Sequence, residues 1–291
     1  MDLLQLIDAT RTEEDARKFI EKARWPEGIT CPRCQSKDIH RFKRRNQVRC
    51  RSCRYDFSLT VGTIFHKSHI GLRKWLLVIH MMTESKKGVS ACQIQRQVGV
   101  SYPTAWYMCH RVRNTMYQPS DKGEKLVGII EIDETYVGPK SNKPGRPAPG
   151  GPKAAILGMI QREGKMIAKH VQNTTGKTIL EFLKQYALNV EILNTDEYRA
   201  YRAIEPYYNR RAVNHSLMYS DGDIHVNGVE NFWSLLKRGL IGAFHKISVK
   251  HLSRYLNEFV FRFNEREAES ILWLVLSNCE QKHLKYAELI S

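Results

Sequence analysis

A chain of 291 residues carrying 46 Lys and Arg against 30 Asp and Glu has a formal net charge of +16 and a pI of about 9.6. That length supports about two domains with real cores, and the charge points to a polyanionic partner, nucleic acid ahead of membrane, over a merely solvated basic face. No stretch approaches the roughly 18 apolar residues of a membrane span, and "MDLLQLIDATRTEED" lacks the basic-then-apolar pattern of a signal peptide, which speaks against a spanning helix and a secreted disulfide framework.

In chain order, "TEEDARKFIEKAR" (residues 12–24) reads as a short helix capped by Thr12 with acids in its first turn. Next come "CPRC" and "CRSC". Cys31, Cys34, Cys50 and Cys53 form C-x₂-C-x₁₅-C-x₂-C, the spacing of a tetrahedral Zn²⁺ site with four thiolates. Cys92, Cys109 and Cys279 lie scattered in apolar helical stretches and read as core. Between Arg33 and Arg54 stand nine Lys or Arg against one Asp, interleaved with Phe42, Tyr55 and Phe57. So small a module has little core, so the metal supplies much of its folding energy. Its role is either purely structural or, as the charge density favours, contact with DNA through Arg41, Lys43, Arg44, Arg45, Arg49, Arg51 and Arg54.

"HIGLRKWLLVIHMMTES" has a helical pattern, and "GVSACQIQRQVGVSYPTAWYMCHRVRNTM" gives two helical runs broken at "VGVSYP". Gly99 supplies the turn, Ser101 the N-cap and Pro103 fits the first turn of the second helix. This is the pattern of a helix-turn-helix, with Arg111 and Arg113 as candidate DNA contacts; an ordinary αα-hairpin fits the pattern equally.

Beyond "QPSDKGEK" the period changes. "KLVGIIEIDETYVG" is strand-like, "PKSNKPGRPAPGGPK" is a cationic Pro/Gly loop, and "AAILGMIQREGKMIAKHVQ" reads as two strands joined at "REGK". The helix "TGKTILEFLKQYAL" leads to the strand "VEILNTD". Then "VENFWSLLKRG" forms an amphipathic helix, and "SVKHLSRYLNEFVFRFNER" another whose aromatic face reads as core. "ESILWLVLSNCEQ" closes the chain. The result is a mixed α/β domain in residues 121–291, preceded by an N-terminal helix and zinc module in residues 1–62 and a helical region in residues 63–120.

Asp133 and Asp196 each follow an apolar strand run, where an α/β scaffold presents groups to a crevice. Glu230 stands near a helix start, with Lys237 two turns further along the same face, about 10 Å away along the axis and too far to pair. Three converging carboxylates would suit Mg²⁺ or Mn²⁺. The plainer account makes the aspartates turn or cap residues and gives Glu230 the third position of a capping box begun by Asn227. Spacing does not decide between them.

The strings "IEIDETYVG", "NTDEYRAY" and "HVNGVENFWSLLKRGLIGAFHKISVKHLSRYLNEFVFRFNER" closely resemble the DDE transposases of a zinc-ribbon-bearing bacterial insertion-sequence family and their eukaryotic Merlin relatives. The resemblance implies an RNase H-like catalytic domain whose acids hold divalent metal. Asp133 matches the first acid, Asp196 the second and Glu230, 34 positions later, the third; Lys237 matches the family's basic residue beside the reacting phosphate, with Arg238 next to it. Some branches carry Asn or His at the third position, and Asn227 and His225 lie nearby; Glu230 is preferred because a carboxylate neutralises a dication and Lys237 is in register with it. Glu131, on the strand face of Asp133, is a fallback ligand, and Asp221 and Asp223 read as loop formers. The implied activity is DNA cleavage at transposon ends and joining of the 3′-hydroxyl to target DNA by two-metal phosphoryl transfer. The implied partners are terminal inverted repeats and target DNA, held by a homodimer on paired ends, in the bacterial cytoplasm with the nucleoid or in a eukaryotic nucleus. The rivals are a related nuclease that cuts without joining and a non-catalytic zinc-ribbon DNA-binding regulator.

Overall fold

The computed structural model describes residues 1–42, 46–138, 153–213, 225–280 and 284–290. Lys43, Arg44, Arg45, Asp221, Asp223 and the cationic loop of residues 139–152 lie outside the described residues. Two compact units emerge, residues 1–116 with 268–291, and residues 117–267.

The first unit opens with helices α1 (Leu3–Ala9) and α2 (Glu13–Arg24). Thr12 caps α2 as its sequence indicates: its hydroxyl accepts from the Asp15 N–H while the Asp15 carboxylate accepts from the Thr12 N–H. Strands β1 (Ile39–Arg41), β2 (Val48–Cys50) and β3 (Asp56–Phe57) form a small antiparallel sheet in that order. Helix α3 (Leu72–Glu84) follows, then α4 (Ala91–Val98) and α5 (Tyr102–Arg113). Gly99 ends α4 with φ +65°, a conformation that costs a side-chain-bearing residue, and the Ser101 hydroxyl accepts from the Thr104 N–H to start α5.

The second unit is built on β4 (Leu126–Val137), β5 (Ala154–Gln161), β6 (Met166–Val171), helix α6 (Gly176–Tyr186), β7 (Ala187–Thr195) and β8 (Arg210–Ala212). Two helices complete it, α7 (Asn227–Gly239) and α8 (Val249–Asn264). Its sheet runs β6-β5-β4-β7-β8, with β4, β5 and β6 antiparallel and β7 and β8 parallel to β4. An antiparallel meander extended by two parallel strands is the RNase H-like order. Strand β8 has no counterpart in the sequence reading, being short and cationic where strand patterns are apolar. Strand β7 starts at Ala187 instead of Val190, because Ala187 already pairs with Leu126 at the foot of β4.

Both faces of the sheet are covered, which is why β5 is apolar almost throughout. Ile156, Ile160, Met166 and Ala168 pack with Val229, Phe232, Trp233 and Leu236 of α7 and with Leu252, Leu256 and Phe259 of α8. On the opposite face Ile130, Ile132, Leu157 and Ile167 pack with Ile179, Phe182 and Leu183 of α6 and with Tyr201 and Ile204. Alternation along β4 therefore turns Glu131 and Asp133 toward α7 and Glu134 toward Tyr201.

The chain ends with α9 (Ile271–Ser277) and α10 (Tyr286–Ile290), which belong to the first unit. The apolar face of α9 packs on α2 and α3, with Trp273 edge-on to Phe19 at 5.6 Å. Residues 268–291, grouped by sequence with the catalytic domain, thus fold with the N-terminal unit. Among the described residues no helix is long and apolar enough to cross a membrane.

Candidate active site

Strand β7 pairs with β4 up to Asn194 opposite Glu131, while β5 accompanies β4 as far as Val137. Asp133 therefore sits inside β4, past the end of its parallel neighbour, and not at the strand's own end as the apolar run suggested. Asp196 follows directly on the end of β7, near enough for its charge to act on Asp133. Two acids so placed repel each other.

Partial burial, together with the charges of Glu134 and Asp196, pushes the Asp133 carboxyl up to about 7. Burial likewise raises Glu134, whose carboxylate accepts a 2.8 Å hydrogen bond from the Tyr201 hydroxyl. The Tyr201 phenol is itself raised well above its ordinary value, by burial and then by Glu134, Asp133 and Asp196. An uncompensated group of hard oxygen donors is the setting that a divalent cation relieves.

Several contacts hold these acids in place. The buried Trp233 ring donates through Nε1 to Asp133 Oδ2 at 3.0 Å, so its indole does more than fill the core side of α7. Gly158, opposite Asp133 on β5, leaves the room: a Cβ there would meet the Trp233 ring at 2.5 Å. Asp196 is fixed through its backbone. Arg210 Nη2 donates to the Asp196 carbonyl at 2.9 Å and Nε to Thr195 Oγ1 at 2.8 Å, while Asp196 Oδ1 accepts from the Tyr198 N–H at 2.9 Å.

Glu230 is exposed in the first turn of α7, three residues before Trp233, and Lys237 and Arg238 are exposed in the last turn. No capping box forms with Asn227. The N-cap position is Val226, and the first free N–H groups, of Gly228 and Val229, donate instead to Glu131 Oε2 at 2.7 and 3.3 Å. The other Glu131 oxygen is 3.1 Å from His225 Nδ1. Among the described residues, the four cysteines are the one set of three or more potential ligands whose donor atoms all lie within 4.8 Å of one another.

That cysteine set is compact. Cys31 and Cys53 sulfurs are 3.6 Å apart and those of Cys34 and Cys50 are 3.5 Å apart. A tetrahedron with Zn–S bonds of about 2.3 Å has edges of about 3.8 Å, so the four sulfurs fit a Zn²⁺ ion. Each C-x₂-C turn is followed by a left-handed residue, Gln35 (φ +61°) and Arg54 (φ +58°), and the Arg33 N–H points at the Cys31 sulfur at 3.4 Å.

The cationic candidates divide. Arg41, Arg49, Arg51 and Arg54 are exposed on the ribbon. Arg41 pairs with Glu21, Arg49 with both oxygens of Asp56 at 2.6 and 2.8 Å, and Arg51 lies 3.7 Å from Asp38. Exposed pairs of this kind are worth about 0–1 kcal/mol, so a phosphate can displace them. Arg111 and Arg113, by contrast, are 3% and 2% exposed and are not DNA-facing. Arg111 donates to the His66 carbonyl at 2.7 Å and stacks against Trp75 and Tyr107. The C-terminal half of α5 faces the core of its unit, and its exposed part is the N-terminal turn, Ser101–Pro103.

Glu134, Tyr201, Arg210 and the Trp233 donor escaped the sequence reading. The adjacency in "DET" and the acidic–aromatic alternation in "DEYRAY" were visible, but only the sheet register and β8 bring these groups to the acids.

Residues 125–264 match the family model described as the ISXO2-like transposase domain, and residues 11–56 match the transposase zinc-ribbon domain. A Halobacterium salinarum protein described as an uncharacterized protein in transposable element ISH50 is 28% identical over 86% of this chain and 90% of its own length. An uncharacterized transposase-like protein of Haemophilus influenzae is 31% identical over 101 residues, 34% of this chain and 81% of that one. Among solved structures, the Mos1 transposase paired-end complex with left transposon end is 15% identical with a TM-score of 0.27, over 72% of this chain and 80% of that one. A pre-cleavage Mos1 transpososome is 13% identical with a TM-score of 0.24, over 71% and 79%. The Haemophilus influenzae relative, covered over most of its length, and the two matched domain models lead to one assignment: the chain belongs to the transposases, with an ISXO2-like transposase domain in residues 125–264 and a transposase zinc ribbon in residues 11–56.

Proposed function

We propose that this transposase cuts DNA at the ends of its element and joins the released 3′-hydroxyl to target DNA, with Asp133, Asp196 and Glu230 as the catalytic acids. The observation that supports this reading is the nearness of Asp133, inside β4, to Asp196, just past β7: burial and the charges of Glu134 and Asp196 push the first acid up to about 7. Divalent cations, Mg²⁺ or Mn²⁺, held by these carboxylates would supply Lewis-acid stabilisation of the attacking and leaving oxygens at phosphorus.

The chain's own groups do the rest. Trp233 Nε1 orients one oxygen of Asp133 and leaves the other for a ligand, and Arg210 holds the backbone that presents Asp196. Glu230, exposed in the first turn of α7, would join the aspartates at the metal, and Lys237 two turns on would reach a flanking phosphate. Burial of Tyr201 against Glu134 keeps water away from one side of the acids. Zn²⁺ bound by Cys31, Cys34, Cys50 and Cys53 would stiffen a ribbon whose exposed Arg41, Arg49, Arg51 and Arg54 track phosphates, while the N-terminal turn of α5 approaches a groove in the manner of a helix-turn-helix. Pairing of two ends calls for a homodimer on the terminal repeats.

The test uses full-length protein, DNA ending in the element's own inverted repeats, and Mg²⁺. Asp133→Asn, Asp196→Asn and Glu230→Gln should each bind the ends and neither nick nor join them. Cleavage by all three variants at wild-type rate would overturn the assignment. Cutting without joined products by the wild type would reduce the protein to a nuclease.

A further inference from the structure

We propose that Glu131 is a positioning residue that fixes the third acid, Glu230, relative to the first, Asp133; the inference rests on the carboxylate site proposed above. Helix α7 begins with no side-chain cap of its own, so its first-turn N–H groups need an acceptor from elsewhere. Glu131 supplies it from the sheet, taking hydrogen bonds from Gly228 and Val229 on one oxygen. A carboxylate at a helix N-terminus is favoured by the aligned peptide dipoles, and more so away from water.

The approach is sterically specific. A Cβ on Gly228 would lie 2.8 Å from Glu131 Oε2 and 3.2 Å from Ile160 Cγ2, so a side chain at this point of the helix would crowd the carboxylate and push it off its present hydrogen bonds. The Glu131 side chain is only 3% exposed, and its second oxygen lies 3.1 Å from His225 Nδ1 and 3.6 Å from Arg162 Nη2. One oxygen is committed to the helix and the other faces His225 and Arg162, so Glu131 is placed to hold α7, on the strand face of Asp133 about 6.7 Å away.

One turn further along α7, Trp233 Nε1 bonds Asp133. The helix is thus fastened to β4 at two points, Gly228 and Val229 on Glu131 and Trp233 on Asp133, and Glu230 lies between them. With both fastenings closed, the distance from Glu230 to the aspartates is set by the backbone; with the first one open, the N-terminal turn can lift and take Glu230 with it.

The experiment is Mn²⁺ binding by calorimetry to the zinc-loaded full chain, for wild type, Glu131→Gln, Glu131→Ala, Gly228→Ala and Asp133→Asn. Loss of a group that orients a ligand typically weakens metal binding about 10- to 100-fold, and that is the drop expected for Glu131→Ala. Glu131→Gln should recover most of it, because the amide oxygen still accepts from Gly228 and Val229. Gly228→Ala opens the contact with the carboxylate intact; it should match Glu131→Ala, and it carries the test if Glu131→Ala fails to fold. Unchanged Mn²⁺ affinity in Glu131→Ala or Gly228→Ala, with binding lost in Asp133→Asn, overturns the positioning role alone. Glu131→Gln as weak as Glu131→Ala also overturns it, since the charge would then act as a ligand. Wild-type affinity in Asp133→Asn overturns the carboxylate site beneath the inference.

Discussion

Replacing Asp133 by Asn should make the second unit more stable, by an amount that grows as pH rises from about 4 to about 7. The carboxyl titrates at about 7 in the fold against 3.8 for an ordinary Asp, because burial and the charges of Glu134 and Asp196 penalise its ionised form. For an acid with a raised folded-state pKa the folded state holds the extra proton, so stability falls as pH rises from about 4 to about 7 and is level beyond. Three pKa units at about 1.4 kcal/mol each give a penalty of roughly 4 kcal/mol at pH 8 and roughly 2 kcal/mol at pH 5. Asparagine carries no such charge and can still accept from Trp233 through its amide oxygen, so the variant should recover about those amounts. Hydrogen exchange resolved to peptides of β4, β5 and β6, without added divalent cation, reports this unit separately from the N-terminal one. Added Mg²⁺ should close most of the gap by stabilising the wild type. A variant no more stable than wild type at pH 8, or equally favoured at pH 4 and pH 8, would refute the reasoning.

Zinc removal under reducing conditions should unfold the ribbon and abolish binding to element ends, read by circular dichroism and electrophoretic shift, because four thiolates replace most of its core; an unchanged spectrum refutes a structural metal. Gly158→Ala places a methyl group against the Trp233 ring and should cost about 1–3 kcal/mol in urea unfolding, with reduced DNA cleavage; a neutral substitution would mean that the indole is free to shift. Arg111→Ala should destabilise the N-terminal unit by about 1–3 kcal/mol by leaving the His66 carbonyl without its donor. Arg54→Ala should leave stability unchanged and lower the salt dependence of DNA affinity by about one counterion, a division that salt titrations resolve.

Periodicity and spacing made much of this fold legible. Thr12, Gly99 and Ser101 stand where their backbone chemistry demands, and the two C-x₂-C pairs needed only their separation to be read as a ribbon. The order of strands around α6 was readable because each carries an apolar run. What stayed hidden depends on register and on long-range partners. Arg111 and Arg113 look like surface charges in a list of residues, yet a helix whose C-terminal half packs inward buries them. Glu131 reads in the sequence as a spare ligand beside Asp133, and only the arrival of α7 shows its carboxylate accepting from the Gly228 and Val229 N–H groups. Arg210 lies on a strand too short and too polar to be recognised, so its grip on Asp196 could not be read from the chain. The last helices carry an apolar face with no indication of which unit it covers.

The most direct test of the central claim is crystallography of the full chain soaked in Mn²⁺, with the anomalous signal used to locate the metal. A peak is expected within about 2.5 Å of carboxylate oxygens from both Asp133 and Asp196, with Glu230 turned toward the same ion or its neighbour and Glu131 still bonded to α7. Manganese found elsewhere, or bound to Glu131 while Asp196 stays apart, would contradict it.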